Sequence, residues 1–127
     1  MKIFTPNLFL ILIGLAASNA AEVPSDMLFV HKIMPMFKAK CLACHGEDSK
    51  KIKGGFDMRT YAGLLKGGES EQPSIVPGKP LQSPLFIAVK REHEDQWEPM
   101  PPKENDKLST DQTLYIREWI EGGAPWP

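Results

Sequence analysis

Cys41-Leu42-Ala43-Cys44-His45 is the stretch of this sequence that decides its fold. The spacing C-x-x-C-H is the attachment sequence of a c-type haem. Two thiols about one helical turn apart can add to the two vinyl groups of one porphyrin, and the histidine that follows presents its imidazole to the iron. The pentapeptide therefore predicts one covalently bound haem c per chain, with Cys41 and Cys44 as thioether anchors and His45 as the proximal iron ligand. We expect His45 to donate its other ring N–H to a backbone carbonyl in the turn at residues 53–56, a contact that fixes the orientation of a metal-bound imidazole.

A C-x-x-C pair without the histidine also occurs in disulfide oxidoreductases and in zinc sites. A zinc site here would have to use the adjacent residues Cys44 and His45 on one ion, which is sterically awkward, and the sequence contains no second C-x-x-C pair. A thioredoxin-like protein alternates strands with helices, and this sequence has no such pattern. The motif therefore favours haem over both alternatives.

The N-terminus has the pattern of an export signal. Lys2 precedes an apolar run from Leu8 to Ala17, and the small residues of Ser18-Asn19-Ala20 follow, as in a secretory signal peptide. A bilayer span needs about 20 apolar residues, roughly twice the length of this run. We therefore expect residues 1–20 to be a cleaved signal peptide, and residues 21–127 to form one exported, periplasmic domain that does not span the membrane.

Charge, length and cysteine count argue against some functions and some means of stabilising the fold. Without Lys2 the 15 basic residues fall to 14 against 16 acidic ones, a formal charge of −2 that argues against nucleic acid as a partner. A domain of this length has a limited core. Both cysteines lie in the motif, so a disulfide is not expected to stabilise the fold, whereas a covalently held porphyrin would supply a large apolar centre.

Four short helices are predicted. Apolar residues at helical spacing favour a helix over residues 25–40 that buries Phe29, Ile33, Met36 and Phe37, with Pro35 as a kink or a second start. A second helix is expected over residues 60–66, begun by a threonine N-cap and ended by a glycine in the left-handed conformation.

The other two helices carry start signals of their own. Ser83-Pro84 resembles an N-cap followed by a proline at the first helical position. Ser109 and Gln112 form an S-x-x-Q capping box before the last helix, which Gly122 closes. Because strand-like alternation is missing, the predicted class is all-α: a small cytochrome c-like fold of about four short helices and long loops around one covalent haem.

The second axial ligand of the iron decides between electron transfer and ligand chemistry. Met100 is the strongest candidate, since it lies 55 residues beyond His45 and prolines on both sides restrict its backbone. His93 is a rival, although its acidic neighbours favour the protonated form, which cannot bind iron. Met58 follows His45 by 13 residues, a short distance for the chain to pass around the ring, and is the next candidate.

Three further residues are candidates for lining the haem ring. They lie in loops that have little other apolar content, and they are Ile75, Val76 and Trp97. Ordinary loop packing is the alternative role for each of them.

The chain resembles the planctomycete-type cytochrome c domain over most of residues 21–127. The stretches that carry the resemblance are Met34-Pro35, Cys41 to Gly46, Lys53-Gly54-Gly55, Leu64 to Ser70, Ile75 to Gly78, Met100-Pro101-Pro102, Trp119-Ile120 and Gly123 to Pro127. The resemblance implies a small helical class I cytochrome c fold, the two thioether anchors, His45 as proximal ligand and Met100 as distal ligand. Members often occur fused to larger exported proteins, so a free-standing domain is expected to be a diffusible carrier or a subunit.

Two functions follow from these expectations. The first is a periplasmic carrier of single electrons between redox proteins, among them a larger exported oxidoreductase, with both axial ligands retained in each oxidation state. The second is a haem enzyme or ligand-binding sensor, such as a small peroxidase, whose distal position is open or displaceable. On the first function, the protein is an electron carrier and not an enzyme.

Overall fold

A computed structural model describes residues 23–127, so the predicted signal peptide at residues 1–20 lies outside the described residues. The α-helices are α1 Ser25–Leu28, α2 Met34–Lys40, α3 Leu42–His45, α4 Tyr61–Lys66, α5 Pro84–Lys90 and α6 Thr110–Glu121. A π-helical turn, Phe29–Ile33, joins α1 to α2, and 3-10 turns lie at Lys53–Gly55, Pro80–Gln82 and Glu104–Asp106. Residues 23–127 contain no strand, and the predicted all-α class is confirmed.

The first predicted helix is present, and its irregularity has a local cause. Pro35 lies in the first turn of α2 and has no amide hydrogen to donate to the preceding turn. The helix widens just before it, where the Met34 amide donates to the Phe29 carbonyl, five residues back. The predicted apolar face, which includes Phe29 and Phe37, is buried.

Two of the predicted helix starts are built as expected. The Ser109 hydroxyl accepts from the Gln112 amide while the Gln112 side chain accepts from the Ser109 amide, a complete capping box. The Thr60 hydroxyl accepts from the Gly63 amide at the start of α4. Gly67 ends α4 with φ 74 and ψ −161, a positive φ outside the left-handed helical region. A Cβ there would lie 1.8 Å from the Gln72 carbonyl oxygen, so glycine is required.

Helix α5 begins where expected, directly after Ser83, but the prediction that the Ser83 side chain caps this helix is wrong. The Ser83 hydroxyl makes no capping bond to the helix. It accepts from the Val76 amide at 2.9 Å and donates to the Lys79 carbonyl at 2.9 Å. Ser83 is fully buried, so its hydroxyl ties the preceding loop together instead.

The segment formed by α1 and the π-helical turn packs against α6 at the centre of the core. Trp119 is fully buried and its ring centroid lies 5.8 Å from those of Phe29 and Phe37. The Trp119 indole N–H donates to the Pro125 carbonyl at 2.8 Å. The ring centroid of Trp126 lies 4.6 Å from that of Phe29, and the two rings are tilted by 47°. Within residues 23–127, no helix has the length and apolar character that a bilayer crossing requires.

Candidate functional site

The Cys-x-x-Cys-His motif occupies a single helical turn that follows α2. The backbone leaves α2 at Cys41, with φ −121 and ψ −47, and α3 begins at the next residue. The amides of Cys44 and His45 both donate to the Cys41 carbonyl, at 3.2 and 3.0 Å. Both thiols are free, and all three side chains are half-buried. One turn therefore carries both thiols and the imidazole.

The imidazole of His45 is held in one tautomer. Its Nδ1 lies 3.2 Å from the carbonyl oxygen of Phe56. Because a carbonyl oxygen can only accept, Nδ1 must carry the hydrogen, and Nε2 is left with the lone pair that binds a metal. A backbone acceptor in the turn after the motif is expected for a metal-binding histidine. The two thiols and this imidazole nitrogen are thus a donor set that fits a covalently attached haem.

A segment that we call the strap, residues 53–58, holds His45 from two sides. The Phe56 carbonyl accepts from the ring, and the Met58 amide donates to the His45 carbonyl at 2.8 Å. Met58 is buried in the core. Because its backbone is bonded to that of His45, the alternative of Met58 as the distal ligand gains no support from the structure.

Close packing fixes the strap against the turn that follows α4. A Cβ at Gly68 would lie 2.3 Å from the Gly54 carbonyl oxygen and 2.9 Å from Cβ of Phe56. The Glu69 amide donates to the same Gly54 carbonyl at 2.8 Å. The position of the His45 acceptor therefore depends on a residue without a side chain at 68.

We expect Gly68→Ala to lower the free energy of unfolding of the haem-loaded protein by about 1–3 kcal/mol, the usual cost of inserting a methyl group into a packed site. Denaturant titration measures this change. Ser70→Ala, an exposed exchange on the same turn, serves as the control and is expected to stay within about 0.5 kcal/mol of the parent. Equal stability of the two variants would contradict the close packing described for the strap.

An ion pair stabilises the end of the strap. The Arg59 guanidinium donates to both carboxylate oxygens of Asp57, with the shortest contact at 2.7 Å. Hydrogen bonds from the Arg59 side chain and then from its backbone amide lower the pKa of Asp57 to about 2. The stem of Arg59 covers Gly46, where a Cβ would lie 2.6 Å from its Cγ. The aliphatic part of Arg59 therefore packs against the residue that follows His45.

The thiol chemistry of the motif disfavours a disulfide oxidoreductase. Burial, followed by the neighbouring Cys44, raises the pKa of Cys41 to about 12. Reactive cysteines in oxidoreductases have a lowered pKa, because the thiolate is the nucleophile. In residues 23–127, no group of three or more His, Cys, Asp or Glu residues is arranged to hold a metal ion.

Met100 lies in an irregular segment after α5 and packs against the hydrophobic core. Its side chain is part-buried, and its amide donates to the Ala88 carbonyl at 3.1 Å. Cys41 packs against the same core cluster. The distal role of Met100 itself stays a prediction.

The remaining sequence candidates lie in different environments. Ile75 is buried in the core, whereas Val76 and Trp97 are part-exposed, and haem contact stays a prediction for all three. The rival ligand His93 is exposed, and its backbone carbonyl accepts the amides of Gln96 and Trp97.

A cleft of about 490 Å³ lies between α5 and α6, away from the Cys-x-x-Cys-His turn. Apolar side chains such as Phe86, Val89 and Leu108 line it, and charged residues including Arg91 and Glu104 surround them. No residue of the motif or of the strap contributes to this cleft.

Sequence reasoning missed the residues that hold the strap and the segment around Met100. Arg59 is paired with a residue two positions away, a spacing that no helical rule singles out. Gly68 belonged to a predicted loop, where glycine is ordinary. Arg91 reads as a basic residue at a helix end, yet its side chain reaches the carbonyl of Pro101.

Comparison with known proteins gives one match. The family model described as Planctomycete cytochrome C matches residues 41–104, which include the Cys-x-x-Cys-His motif, the strap and Met100. No curated protein and no solved structure matches the chain.

Proposed function

The chain belongs to the planctomycete cytochrome C family, and from that premise we propose that it is an exported carrier of single electrons whose haem iron is bound by His45 and Met100. Family membership supports a haem-binding role of the electron-carrier kind. The finer parts of the proposal, namely the axial ligands, the export and the partners, rest on the residues described above.

The observation that carries the proposal is the hydrogen bond between His45 Nδ1 and the Phe56 carbonyl, 3.2 Å long. It leaves Nε2 free to bind iron, and it makes the imidazole a stronger ligand by accepting from the opposite side of the ring. When bound, haem supplies a centre that gains and loses one electron. The strap keeps His45 in one orientation, so little reorganisation accompanies the change of charge.

The proposed distal residue fits this role. A methionine thioether opposite a histidine raises the reduction potential of a c-type haem. Met100 has prolines on both sides, and its amide is bonded to the end of α5. We propose export on the pattern of residues 1–20, which N-terminal sequencing of the exported protein tests.

An electronic spectrum of the purified holoprotein tests the proposed function. A carrier with histidine and methionine ligands gives a low-spin ferric haem with a far-red sulfur-to-iron band. A high-spin ferric spectrum that shifts at once with cyanide would contradict the carrier and support the ligand-binding alternative. Carbon monoxide binding by the ferrous protein provides the same distinction in the other oxidation state.

Three exposed lysines follow the motif and are candidates for contact with a redox partner. They are Lys50, Lys51 and Lys53. Lys53 lies in the 3-10 turn of the strap, close in sequence to the acceptor of His45. Opposite charges on two partners raise the rate of association more than the final affinity, and salt weakens the effect. We therefore propose an acidic docking face on the partner.

Reversal of all three lysines to glutamate is expected to slow electron transfer at low salt by about tenfold or more, within the range of electrostatic steering. Added salt then accelerates the variant, whereas it slows the parent. Stopped-flow mixing with an acidic redox protein measures both rates. The control reverses Lys66, Lys79 and Lys103, three other exposed lysines, with the same change in net charge. Equal rates for the two triple variants would dismiss the patch.

A further inference from the structure

The segment that contains Met100 depends on α5 for its position. Residues 92–103 contain no helix or strand, and the only regular element between α5 and α6 is the 3-10 turn Glu104–Asp106. Such a segment has a high conformational entropy unless other parts of the chain hold it. Two residues at the end of α5 form hydrogen bonds with this segment, one with the Met100 amide and the other with the Pro101 carbonyl.

The first of these bonds uses a free helix carbonyl. The last four carbonyls of an α-helix have no partner inside the helix, and that of Ala88 belongs to this group in α5. It accepts the Met100 amide at 3.1 Å. This bond fixes the backbone of Met100 on its N-terminal side.

The second bond comes from Arg91, the residue that ends α5. Its backbone takes the left-handed conformation, with φ 60 and ψ 25. One guanidinium nitrogen donates to the Pro101 carbonyl at 2.7 Å, and the other donates to a Glu104 carboxylate oxygen at 2.9 Å. The Arg91 side chain is 17% exposed and its bond to Pro101 is part-buried, whereas the Glu104 side chain is 64% exposed.

The shape of the guanidinium matters for this arrangement. Arginine presents several donors in one plane, so a single side chain can hold a carbonyl and a carboxylate at once, whereas an ammonium is a point charge. Glu104 is held in turn by Lys107, at the end of the segment that leads to α6. Arg91 thus links the Pro101 carbonyl to Glu104, and through Glu104 to Lys107.

We infer that Arg91 is a positioning residue for the distal ligand: it keeps the Met100 thioether bound by anchoring the Pro101 carbonyl to the end of α5. The inference rests on the proposed function, because it takes Met100 as the distal ligand. A thioether binds ferric iron weakly. Its retention therefore depends on how firmly the protein holds the segment that carries it.

Cyanide binding to the ferric holoprotein tests the inference, because cyanide must wait for the thioether to dissociate. We expect Arg91→Gln to accelerate binding by at least tenfold and to weaken the far-red sulfur-to-iron band. Arg91→Lys retains the positive charge but not the fork, and we expect an intermediate rate. Arg117→Gln is the control, since Arg117 forms an exposed ion pair with Glu121 on α6 and is expected to leave the rate within twofold of the parent.

The outcomes separate this inference from the proposed function. If the parent lacks the far-red band, the proposed distal ligand is wrong, and the role of Arg91 falls with it. If the parent has the band and both Arg91 variants bind cyanide within twofold of the parent rate, Met100 remains the ligand and the positioning role is overturned. If Arg91→Gln does not yield folded holoprotein, the rate of Arg91→Lys decides by the same twofold limit.

Discussion

We expect the Met100→Ala protein to lose the far-red sulfur-to-iron band and to have a reduction potential lower than that of the parent by about 120 mV or more. The reason is that a thioether favours ferrous over ferric iron. The potential of a one-electron couple changes by about 59 mV for each tenfold change in this preference. A hundredfold loss of the preference for ferrous iron therefore lowers the potential by about 120 mV. A spectroscopic redox titration of the holoprotein measures both quantities.

Two companion variants complete this experiment. Met100→His is expected to keep the iron six-coordinate while lowering the potential, because imidazole replaces a weaker sulfur donor. Met27→Ala is the control, since Met27 lies on α1 with 47% of its surface exposed, and its removal is expected to change neither band nor potential. An unchanged band in Met100→Ala would show that another residue is the distal ligand, and the carrier mechanism proposed above would be wrong.

The double exchange Cys41→Ala and Cys44→Ala is expected to abolish covalent haem completely. No other residue can form a thioether to a vinyl group, because these are the two cysteines of the sequence. Haem staining after denaturing electrophoresis measures the covalent fraction directly. Any haem still bound through His45 alone is lost when the protein unfolds.

The control for this experiment is Ala43→Ser, an exchange at the exposed position between the cysteines. It leaves both thiols and the histidine in place, so full staining is expected. Haem stain that persists in the double variant would rule out attachment through these thiols and, with it, a c-type haem.

Sequence reasoning succeeded where the decisive contacts are local. The Ser109 hydroxyl and its partner Gln112 lie three residues apart, and the capping box could be read directly. Ser83 has the same residue type before a helix, yet its hydroxyl bonds to Val76, seven residues back. Burial of Ser83 decides this outcome, and burial depends on the tertiary structure.

The candidate site likewise has features that the sequence predicts and features that depend on the tertiary structure. The spacing of Cys41, Cys44 and His45 carries its own chemistry, and a backbone acceptor for His45 could be expected within the following turn. The anchoring of Met100 could not be read from the sequence, because Arg91 reaches a carbonyl ten residues away through the end of a helix. The close approach at Gly68 depends on how α4 and the strap pack, which no local pattern describes.

The packing of α1 against α6 also joins distant parts of the described chain. Ser25 and Gly122 are in contact although 97 positions separate them, so the core around Trp119 closes only after α6 has docked. Cys41, which directly follows α2, packs against this same core. The surroundings of Cys41 are therefore complete only when α6 is in place, although α6 begins 69 positions after Cys41.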